Sequence, residues 1–467
     1  AEDAYAYGKF ARVVLGTNDV DFRARPHSAA ETAFLAEHVA ATGPAGGAVT
    51  YTDLSAAKAV VLVGFEPEEE SPIVFLRLRR AVRKARTAVY AVAPFASHGL
   101  EKLSGTLLPT VPGAEAAALA DPSLAAALAG GGIILVGERM ATSPGALAAA
   151  VSLAASTGAR LAWIPRRAGE RGALEAGALG ALLPGGRPVT DAVARGEVAA
   201  VWEVDSLPSA PGRDTAGIVA AAASGALGAL VVGGVDPADL ALPQVADALA
   251  KAFVISLEVR ESAVTAVADV VLPVAPHAEK SGSFVNWEGR VRPFEAALST
   301  NAMSDHRVLD MLAAELGFFM ETRTHEQIND QFEALGPWTG ARAAANAAAA
   351  GSGATAYGSG DGDVVLATWP LLLDRGRMQD GEPFLAGTAH ASVARVGATL
   401  AGRLGVTDGD AVTVSSGSGA LSVPVAVTDG MVDGVVWLPT NSAGCAVRST
   451  LGVDAGARVT VSKGGAQ

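Results

Sequence analysis

Three short glycine-containing segments carry the residue types that could hold a phosphate group. The first covers residues 64–67 and the second residues 234–237, and each follows a short apolar run. The third has Gly282 and Gly289, with Asn286 between them. A strand, a tight glycine loop and a helix start together present backbone N–H groups to an anion. The spacing predicts a nucleotide-binding layout at the carboxyl ends of parallel strands, although the third segment also fits an ordinary glycine-rich connection.

Acidic side chains stand in two of these loops, where a phosphate would need cations. Glu66 precedes Pro67 and is followed by glutamates at positions 68–70, and Asp236 precedes Pro237. Like charges about 4 Å apart repel by about 1 kcal/mol in water and by several times that at a low-dielectric site. Glutamates at a helix N-terminus can instead stabilise the helix and face solvent, which is the interpretation we favour. On either interpretation the first loop is poorly suited to bind the phosphates of a nucleotide.

Residues able to bind a metal are scarce. Cys445 is the single cysteine, so the chain forms neither a disulfide nor a Cys-ligated iron–sulfur cluster by itself. His27 follows Pro26, and proline offers a metal no donor atom. A lone histidine beside Arg25 is more typical of a surface or structural residue than of a ligand. We therefore predict no metal site and no catalytic residue in this chain.

Composition narrows the classes of partner. The chain has 467 residues and a formal net charge of −13, and a phosphate-binding surface for nucleic acid would need clustered lysines and arginines. Residues 77–86 hold the densest basic group, at helical spacing, which predicts a solvated or docking helix face. The mean hydropathy is +0.32, but the uncharged stretches 140–159 and 215–235 consist mostly of small residues. Such residues gain little from hydrocarbon, so we predict no membrane span.

Strands and helices alternate along the first part of the chain. Apolar runs predict strands at residues 59–63, 88–92, 133–137, 161–164, 229–232, 253–257 and 270–272. Helical patterns cover residues 1–15, 29–41, 72–85, 143–157 and 303–316, with Ser143 and Pro144 at the start of one of them. This alternation predicts an α/β fold with doubly wound, mostly parallel sheets. Because the loops at 64–67 and 234–237 echo each other, we expect two related nucleotide-binding-like halves.

The last hundred residues change character. Residues 364–467 contain short β-like runs separated by Asp-Gly turns, which predicts a small β-barrel. We predict an α/β region over residues 1–335, with two interleaved subdomains, and an Ala/Gly/Ser-rich linker over residues 336–363. Residues 169–188, rich in glycine, are predicted to form a surface loop. The chain opens on a helix with no strand before it, so we expect an upstream part to be missing.

Residues 281–291 resemble the G-x-F-x-N-x-E-G-R signature of the molybdopterin-dependent oxidoreductase superfamily, and the usual ADVVLP precedes them at 268–273. In that superfamily a segment similar to residues 16–28 places a cysteine or selenocysteine before a histidine and binds molybdenum; here Pro26 takes that place. The first loop resembles the one that holds the pterin-guanine dinucleotide, with Glu66 in place of asparagine. The C-terminal part resembles the superfamily's dinucleotide-binding barrel, of the double-psi type.

Within the superfamily, residues 2–28 are most similar to the family of large iron–sulfur subunits (the G subunits) of NADH:quinone oxidoreductase, respiratory complex I. The resemblance implies a structural and docking region that supports electron transfer from NADH to quinone, is itself non-catalytic and has lost the molybdenum site. It implies no cofactor in this chain and iron–sulfur clusters in a missing N-terminal region. The loops then keep vestigial cofactor-binding positions at Gly64, Glu66, Pro67, Gly234, Asp236, Pro237, Asn286 and Gly289.

The same resemblance implies partners and a location. The partners are the flavin- and NADH-binding and the quinone-site subunits of the peripheral arm, and the complex is peripheral on the cytoplasmic side of the cell membrane. An alternative stays open: a fragment of an active molybdopterin enzyme of the formate dehydrogenase or nitrate reductase type. Pro26, Glu66 and Asp236 discriminate between the two, because an active site needs a metal ligand and phosphate-compatible loops.

Overall fold

The computed structural model describes residues 1–343, 363–377, 379 and 381–464. The chain divides into two compact units: the first unit joins Ala1–Gly47 to Arg167–Ala347, and the second unit joins Ala48–Arg166 to Ala348–Gln467. Each unit is thus built from two separate stretches of chain. The predicted boundaries at residues 335 and 363 stay a prediction, and most of the predicted linker lies outside the described residues.

Strands occupy the positions where short apolar runs are bounded by turn residues. In chain order they are β1 Ala59–Val63, β2 Ala88–Ala93, β3 Thr106–Pro109, β4 Ile133–Gly137, β5 Arg160–Ile164, β6 Leu182–Leu183, β7 Arg187–Pro188, β8 Ala229–Gly233, β9 Phe253–Glu258, β10 Val270–Pro273, β11 Gly282–Val285, β12 Val291–Phe294, β13 Asp363–Trp369, β14 Ala394–Val396, β15 Ala411–Ser415, β16 Ala420–Val427, β17 Val435–Pro439, β18 Asn441–Ser442, β19 Cys445–Ala446 and β20 Arg458–Lys463. Most of these runs were predicted from the sequence.

Helices connect the strands. In chain order they are α1 Glu2–Val13, α2 Ala29–Phe34, α3 Tyr51–Ala56, α4 Pro67–Glu70, α5 Pro72–Ala85, α6 His98–Lys102, α7 Glu115–Leu119, α8 Pro122–Leu128, α9 Ala146–Thr157, α10 Glu170–Glu175, α11 Ala192–Trp202, α12 Thr215–Ser224, α13 Val245–Lys251, α14 Asp305–Glu315, α15 His325–Leu335, α16 Pro383–Ala386, α17 Ala398–Leu404 and α18 Val447–Leu451. A π-helical turn, Leu35–Val39, extends α2. No helix in the described part of the chain is both long and apolar enough to cross a membrane.

The second unit contains a five-stranded parallel sheet with the strand order β3-β2-β1-β4-β5. β1 lies in the middle, where Val60 pairs with Val89 of β2 and with Ile133 of β4. All five residues of β1 are buried, because a parallel sheet is covered by helices on both faces. The chain runs outward from β1 through β2 to β3 and then crosses back to β4 on the other side of β1, so the sheet is doubly wound, as predicted.

The C-terminal strands of the second unit close into a barrel with the order β13-β17-β14-β16-β15-β20. The pairs β13–β17 and β14–β16 are parallel, and the other pairs are antiparallel. Valines and leucines that alternate with exposed residues fill the interior, for example Leu421, Val423 and Val425 of β16. Together with the parallel sheets, this barrel confirms the predicted fold class. β14 and β20 were not predicted.

The first unit contains a three-stranded parallel sheet in the order β10-β9-β8. On one face Phe10 of α1 and Leu309 of α14 pack together with Val231 and Leu272. On the other face α12 and α13 pack against Leu230. A short apolar run that ends at a proline, as at Pro273, usually indicates a buried strand, but this strand is not buried. Half-buried and exposed residues alternate along β10, because in the described part of the chain it is an edge strand that pairs only with β9.

Two local predictions were wrong. Residues 169–188 do not form a surface loop: they contain α10, β6 and β7, and Leu174, Leu182 and Leu183 are fully buried. Glycine serves close packing there, since Gly177 has φ +73° and a Cβ atom would lie 2.5 Å from the Leu183 carbonyl carbon. Ser143 does not cap α9. Its hydroxyl donates to Glu115 at 2.5 Å, and Gly145 precedes the helix instead.

Candidate functional site

The first predicted loop starts from a strained glycine in the second unit. Gly64 follows β1 and has φ +58°, and a Cβ atom there would lie 2.7 Å from Met140 Cγ. The Gly64 carbonyl oxygen also lies against Gly137 at the end of β4. A Cβ atom added at Gly137 would lie 2.1 Å from that oxygen. The loop backbone therefore packs tightly on the neighbouring strand end, and only glycines allow this contact.

Glu66 and Glu70 are buried beside this loop, so the prediction that these glutamates face solvent was wrong for both. Glu66 is the N-cap of α4, and its carboxylate accepts hydrogen bonds from the Glu68 N–H at 3.4 Å and from the Ser97 hydroxyl. Glu70 accepts from the Glu66 N–H and from the Arg139 guanidinium, both at 2.6 Å. Both acids thus accept hydrogen bonds from protein groups.

Burial is the main influence on the protonation of this pair. Burial, together with the nearby Glu70 carboxylate and against the hydrogen bond from Ser97, raises the pKa of Glu66 to about 7. Burial also raises the pKa of Glu70, although Arg139 opposes the shift. A carboxyl group with a pKa near neutrality is partly protonated at pH 7, yet it offers a phosphate no positive charge in either form.

The raised pKa of Glu66 gives a testable pH dependence of stability. Its folded pKa of about 7 lies above the ordinary value of 4.5, so its contribution to stability is complete below about pH 4.5 and is lost as the pH rises through 7. We expect Glu66→Gln to stabilise the protein relative to wild type at pH 8, by about 2–4 kcal/mol at 1.4 kcal/mol per pKa unit, and to change little at pH 4.5. Urea denaturation at both pH values measures this; equal effects at both would contradict it.

A cavity of about 220 Å³ opens beside the first loop within the second unit. Gly64, Arg139, Ser143, Trp369 and Arg458 are among its lining residues. The Arg139 guanidinium lies 5.2 Å from the Trp369 ring centroid while it binds Glu70. One of the two arginines in this cavity wall is therefore already held by a carboxylate and an aromatic face.

An aromatic cluster adjoins that cavity, and the sequence analysis missed it. Phe95 stacks on Trp369 with ring centroids 5.2 Å apart, and Trp437 lies 5.0 Å from Trp369. The Arg395 guanidinium lies 5.7 Å from Phe95 and 5.8 Å from Trp437. These residues come from distant parts of the sequence, so no local spacing could have revealed the cluster.

The second predicted loop repeats the geometry of the first in the first unit. Gly234 has φ +61°, and Asp236 accepts a hydrogen bond from the Ala238 N–H at 3.0 Å as the cap of a short 3₁₀ turn that starts at Pro237. Asp239 in the same turn binds Arg167 at 3.0 Å. The acid before the proline is thus an N-cap in both loops. This shared role explains why the two loops have similar sequences.

The third predicted segment forms an antiparallel hairpin, β11–β12, which the sequence analysis did not predict. Asn286 holds its turn together: its side-chain oxygen accepts from the Arg290 N–H at 2.9 Å, and its amide donates to Glu288 at 2.8 Å. Gly289 has φ +81°, and a Cβ atom there would lie 2.3 Å from the Thr42 carbonyl oxygen. Asn286 and Gly289 therefore have structural partners in the turn and in the neighbouring chain segment.

Two arginines form a buried ionic network in the segment before α2. The Arg25 guanidinium binds Glu31 and Glu170, each at 2.8 Å, and Arg23 binds Asp21 at 2.7 Å and Glu31 at 3.4 Å. The side chains of both arginines are at most 1% exposed. Cations and carboxylates enclosed together in this way hold the segment in one conformation.

His27 lies beside this network with its ring enclosed by protein. Nδ1 is 2.7 Å from the Arg25 carbonyl oxygen, and Nε2 is 3.5 Å from Asp214. The neighbouring His27 imidazole lowers the pKa of Asp214 to about 2, against the effect of burial. The contacts support the structural role that the sequence analysis preferred. Across the described residues there is no group of three or more His, Cys, Asp or Glu side chains arranged to hold a metal ion.

The predicted positions fall into separate parts of the molecule. Gly64, Glu66 and Pro67 belong to the second unit. The first unit contains the others: Gly234, Asp236, Pro237, Asn286 and Gly289. Sequence reasoning missed Ser97, which donates to Glu66, and Arg139, which donates to Glu70 from 69 residues further along the chain.

Comparison with known proteins identifies the class to which this chain belongs. The profile of the family "Molybdopterin oxidoreductase" matches residues 1–313, and that of the "Molydopterin dinucleotide binding domain" matches residues 377–462. Because the first match covers more than half of the sequence, the chain belongs to the molybdopterin oxidoreductase family. Acetylene hydratase from Pelobacter acetylenicus has a similar structure, with a TM-score of 0.51 over 91% of this chain and 76% of that one. At 13% identity this likeness concerns the fold alone.

Individual relatives indicate one kind of subunit within this family. The G subunit of the NADH-quinone oxidoreductase of Mycobacterium tuberculosis is 55% identical over 475 residues, which cover 99% of this chain and 58% of the relative. The corresponding G subunit of Streptomyces coelicolor is 51% identical over 491 residues, which cover 98% of this chain and 58% of the relative. The resemblance to the G subunits of NADH-quinone oxidoreductase is confirmed. The chain spans somewhat more than half the length of these curated relatives.

Proposed function

We propose that this chain is a non-catalytic structural and docking region of the large iron–sulfur subunit of proton-translocating NADH:quinone oxidoreductase. The observation that carries the proposal is the 51–55% identity to the G subunits of that enzyme along nearly the whole chain. In this role the region supports electron transfer from NADH to quinone without binding either. The iron–sulfur clusters belong to a part of the full subunit outside this chain, and the complex is peripheral on the cytoplasmic side of the cell membrane.

We further propose that the molybdenum site of the family has been lost. Pro26 offers no donor atom, and the two arginines that precede it, Arg23 and Arg25, are bound by carboxylates rather than available to a ligand. At the first loop, Glu66 is buried where a pyrophosphate would meet an acid. These residues do not fit a pterin dinucleotide and its metal, so the loops are vestigial and serve packing.

The alternative is a fragment of an active molybdopterin enzyme, such as a formate dehydrogenase or nitrate reductase. Membership of the molybdopterin oxidoreductase family favours it in a general way. Against it stand Pro26 and the acids at positions 66 and 236, whose side chains contribute no metal ligand and act as caps. We therefore prefer the docking role, with flavin- and NADH-binding and quinone-site subunits as partners and no nucleic acid.

The exposed basic side of α5 is the candidate docking face. Arg79, Arg80, Arg83 and Lys84 are exposed there, next to exposed Ile73 and Leu76. On a chain with a net charge of −13, such a patch attracts an acidic partner surface. Exposed apolar side chains beside arginines are common in protein interfaces.

Co-purification tests the docking role. The full-length polypeptide, tagged in its native host and extracted from membranes, is expected to bring the flavin-bearing and quinone-site subunits with it. The double variant Arg80→Glu/Arg83→Glu is expected to reduce their recovery severalfold, because it reverses the charge of the docking face. The control Arg307→Glu/Arg403→Glu changes the net charge equally at two other exposed helix positions and is expected to have no effect. Purification of the wild-type polypeptide without these subunits would contradict the proposal.

A further inference from the structure

A groove of about 750 Å³ runs along one edge of β8 in the first unit. All nine consecutive residues from 227 to 235 line it. A groove over one face of a strand would be lined by every second residue, because successive side chains point to opposite faces. Here every residue lines the groove, so the groove borders the edge of the strand. We call the groove bordered by residues 227–235, α1, α12 and α13 the edge slot.

Helices wall the edge slot on both sides of the sheet plane. Val231 packs in a cluster with Phe10 of α1, and Leu230 packs in another cluster with Val219 of α12. Neighbouring residues of a strand point to opposite faces, so α1 and α12 cover opposite faces of the sheet. Phe10 and Val219 also line the groove. The edge slot therefore continues the plane of the sheet between two layers of helix, where a further strand would lie.

Backbone groups of β8 point into the edge slot. The Phe253 N–H donates to the Gly228 carbonyl at 2.9 Å, and the Gly234 N–H donates to the Leu257 carbonyl at 3.2 Å. Residues 228, 230, 232 and 234 thus direct their backbone groups towards β9, because alternate residues of a parallel strand face the same neighbour. Ala229, Val231 and Gly233 direct theirs the other way. In the described part of the chain, β9 is the one strand that pairs with β8.

β8 has the apolar composition of a strand in the interior of a sheet. β1 has a similar apolar run, is fully buried and pairs with parallel strands on both edges, whereas β8 is partly exposed along its whole length. Parallel sheets keep such strands buried, and an exposed apolar edge invites aggregation. The opposite edge of this sheet is protected differently. There the N–H of Val274 bonds to Glu258, so Pro273 of β10 occupies an outward position and has no N–H to offer.

We propose that the edge slot holds a further parallel β-strand, apolar and about as long as β8, supplied by the polypeptide directly N-terminal to α1 in a longer form of this chain. The five-stranded sheet provides the template: β3-β2-β1 corresponds to β10-β9-β8, and β4 pairs in parallel on the equivalent edge of β1. The relatives, of which this chain covers 58%, have additional sequence from which such a strand can come.

The position of α1 favours a strand from the same polypeptide. Glu2 accepts a hydrogen bond from the Ser283 hydroxyl at 2.6 Å, and Asp3 binds Lys280 at 2.7 Å, in the segment that follows the carboxyl end of β10. A side chain at Gly233, the last residue of β8, would overlap the Tyr7 hydroxyl. The first turns of α1 thus lie at the carboxyl ends of the strands. A strand in the edge slot would end there and enter α1 through a short turn, as strand and helix follow each other in βα units.

Proline substitution in the full-length polypeptide tests the pairing. Val231→Pro removes an N–H that points into the edge slot and leaves the hydrogen bonds to β9. We expect it to lower the urea midpoint clearly more than Val231→Ala, which removes only the packing. Val271→Pro is the matched control, because it removes an outward N–H from β10, whose outer edge pairs with no strand among the described residues. The proposal is overturned if Val231→Pro lowers the urea midpoint by no more than the sum of the decreases caused by Val231→Ala and by Val271→Pro. The edge slot would then hold no strand.

Cross-linking identifies the occupant. In the full-length polypeptide with Cys445→Ser, a cysteine at Ala229 is paired with single cysteines placed through the ten or so residues before α1. We expect an intramolecular disulfide at one or two of these positions, as a fixed register requires. A cross-link to a second copy or to another subunit would overturn the assignment to the same polypeptide. Absence of any cross-link, with fast hydrogen exchange at Val231 and Gly233, would overturn the strand itself.

Discussion

Arg25→Met is expected to lower the free energy of unfolding by about 3–5 kcal/mol, because it removes one partner from a buried ionic network. The Arg25 side chain is 1% exposed, and its guanidinium bridges Glu31 and Glu170 at 2.8 Å each. Methionine fills a similar volume but leaves two buried carboxylates without the cation that they share. The loss should exceed that from any surface ion pair of this chain.

Urea denaturation followed by far-ultraviolet circular dichroism measures the effect. The control is Arg213→Met, which breaks an ion pair with Asp19 at a side chain that is 48% exposed, and it should cost less than about 1 kcal/mol. Arg25→Lys keeps the charge without the two-pronged geometry and should fall between the two. If the methionine variants at positions 25 and 213 lose the same stability, the network does not hold this segment.

Gly289→Ala is expected to cost about 2–4 kcal/mol, from backbone strain and a steric overlap together. Gly289 has φ +81°, and the new Cβ atom would lie 2.3 Å from the Thr42 carbonyl oxygen and 3.0 Å from Gly43 Cα. Backbone atoms cannot move aside as a flexible side chain can. In our account the glycine of this family motif is therefore kept for packing of the hairpin turn.

Gly225→Ala separates the two causes. Gly225 has the same φ of +81°, but no atom lies within 4 Å of the place where its Cβ would be. It should therefore cost only the strain, about 1 kcal/mol. Thermal or urea unfolding of both variants measures the difference. Equal losses would mean that the contact with Thr42 is not tight, and would weaken the structural explanation for Gly289.

Seven of the eight strands in the two parallel sheets were predictable because each is a short, mostly apolar run, whereas β3 was not predicted. Residues 169–188 were not, because their glycines and arginines look like a surface loop. Burial of Arg171 and Arg187 depends on the Thr42 and Leu335 carbonyl oxygens, which lie 129 and 148 residues away in the sequence. Pairings over such distances leave no local pattern.

The glycine-containing loops were also predictable only in part. Their glycines, prolines and capping acids follow from local rules, and the echo between Glu66 and Asp236 was visible in the sequence. Burial of Glu66 was not, since it depends on Ser97, 31 residues away, and on an arginine that binds Glu70 from 69 residues away. The edge slot was also hidden, because the sequence of β8 does not reveal how many neighbours the strand has.

The metal and pterin content of the full-length protein tests the central claim most directly. The protein is purified from its native host, denatured and assayed for molybdenum and tungsten by mass spectrometry, and for released pterin by fluorescence. Iron serves as the internal control, because the clusters expected elsewhere in the subunit supply it. We expect iron with molybdenum, tungsten and pterin far below one per polypeptide. One equivalent of molybdenum or tungsten with guanine-bearing pterin would contradict the account.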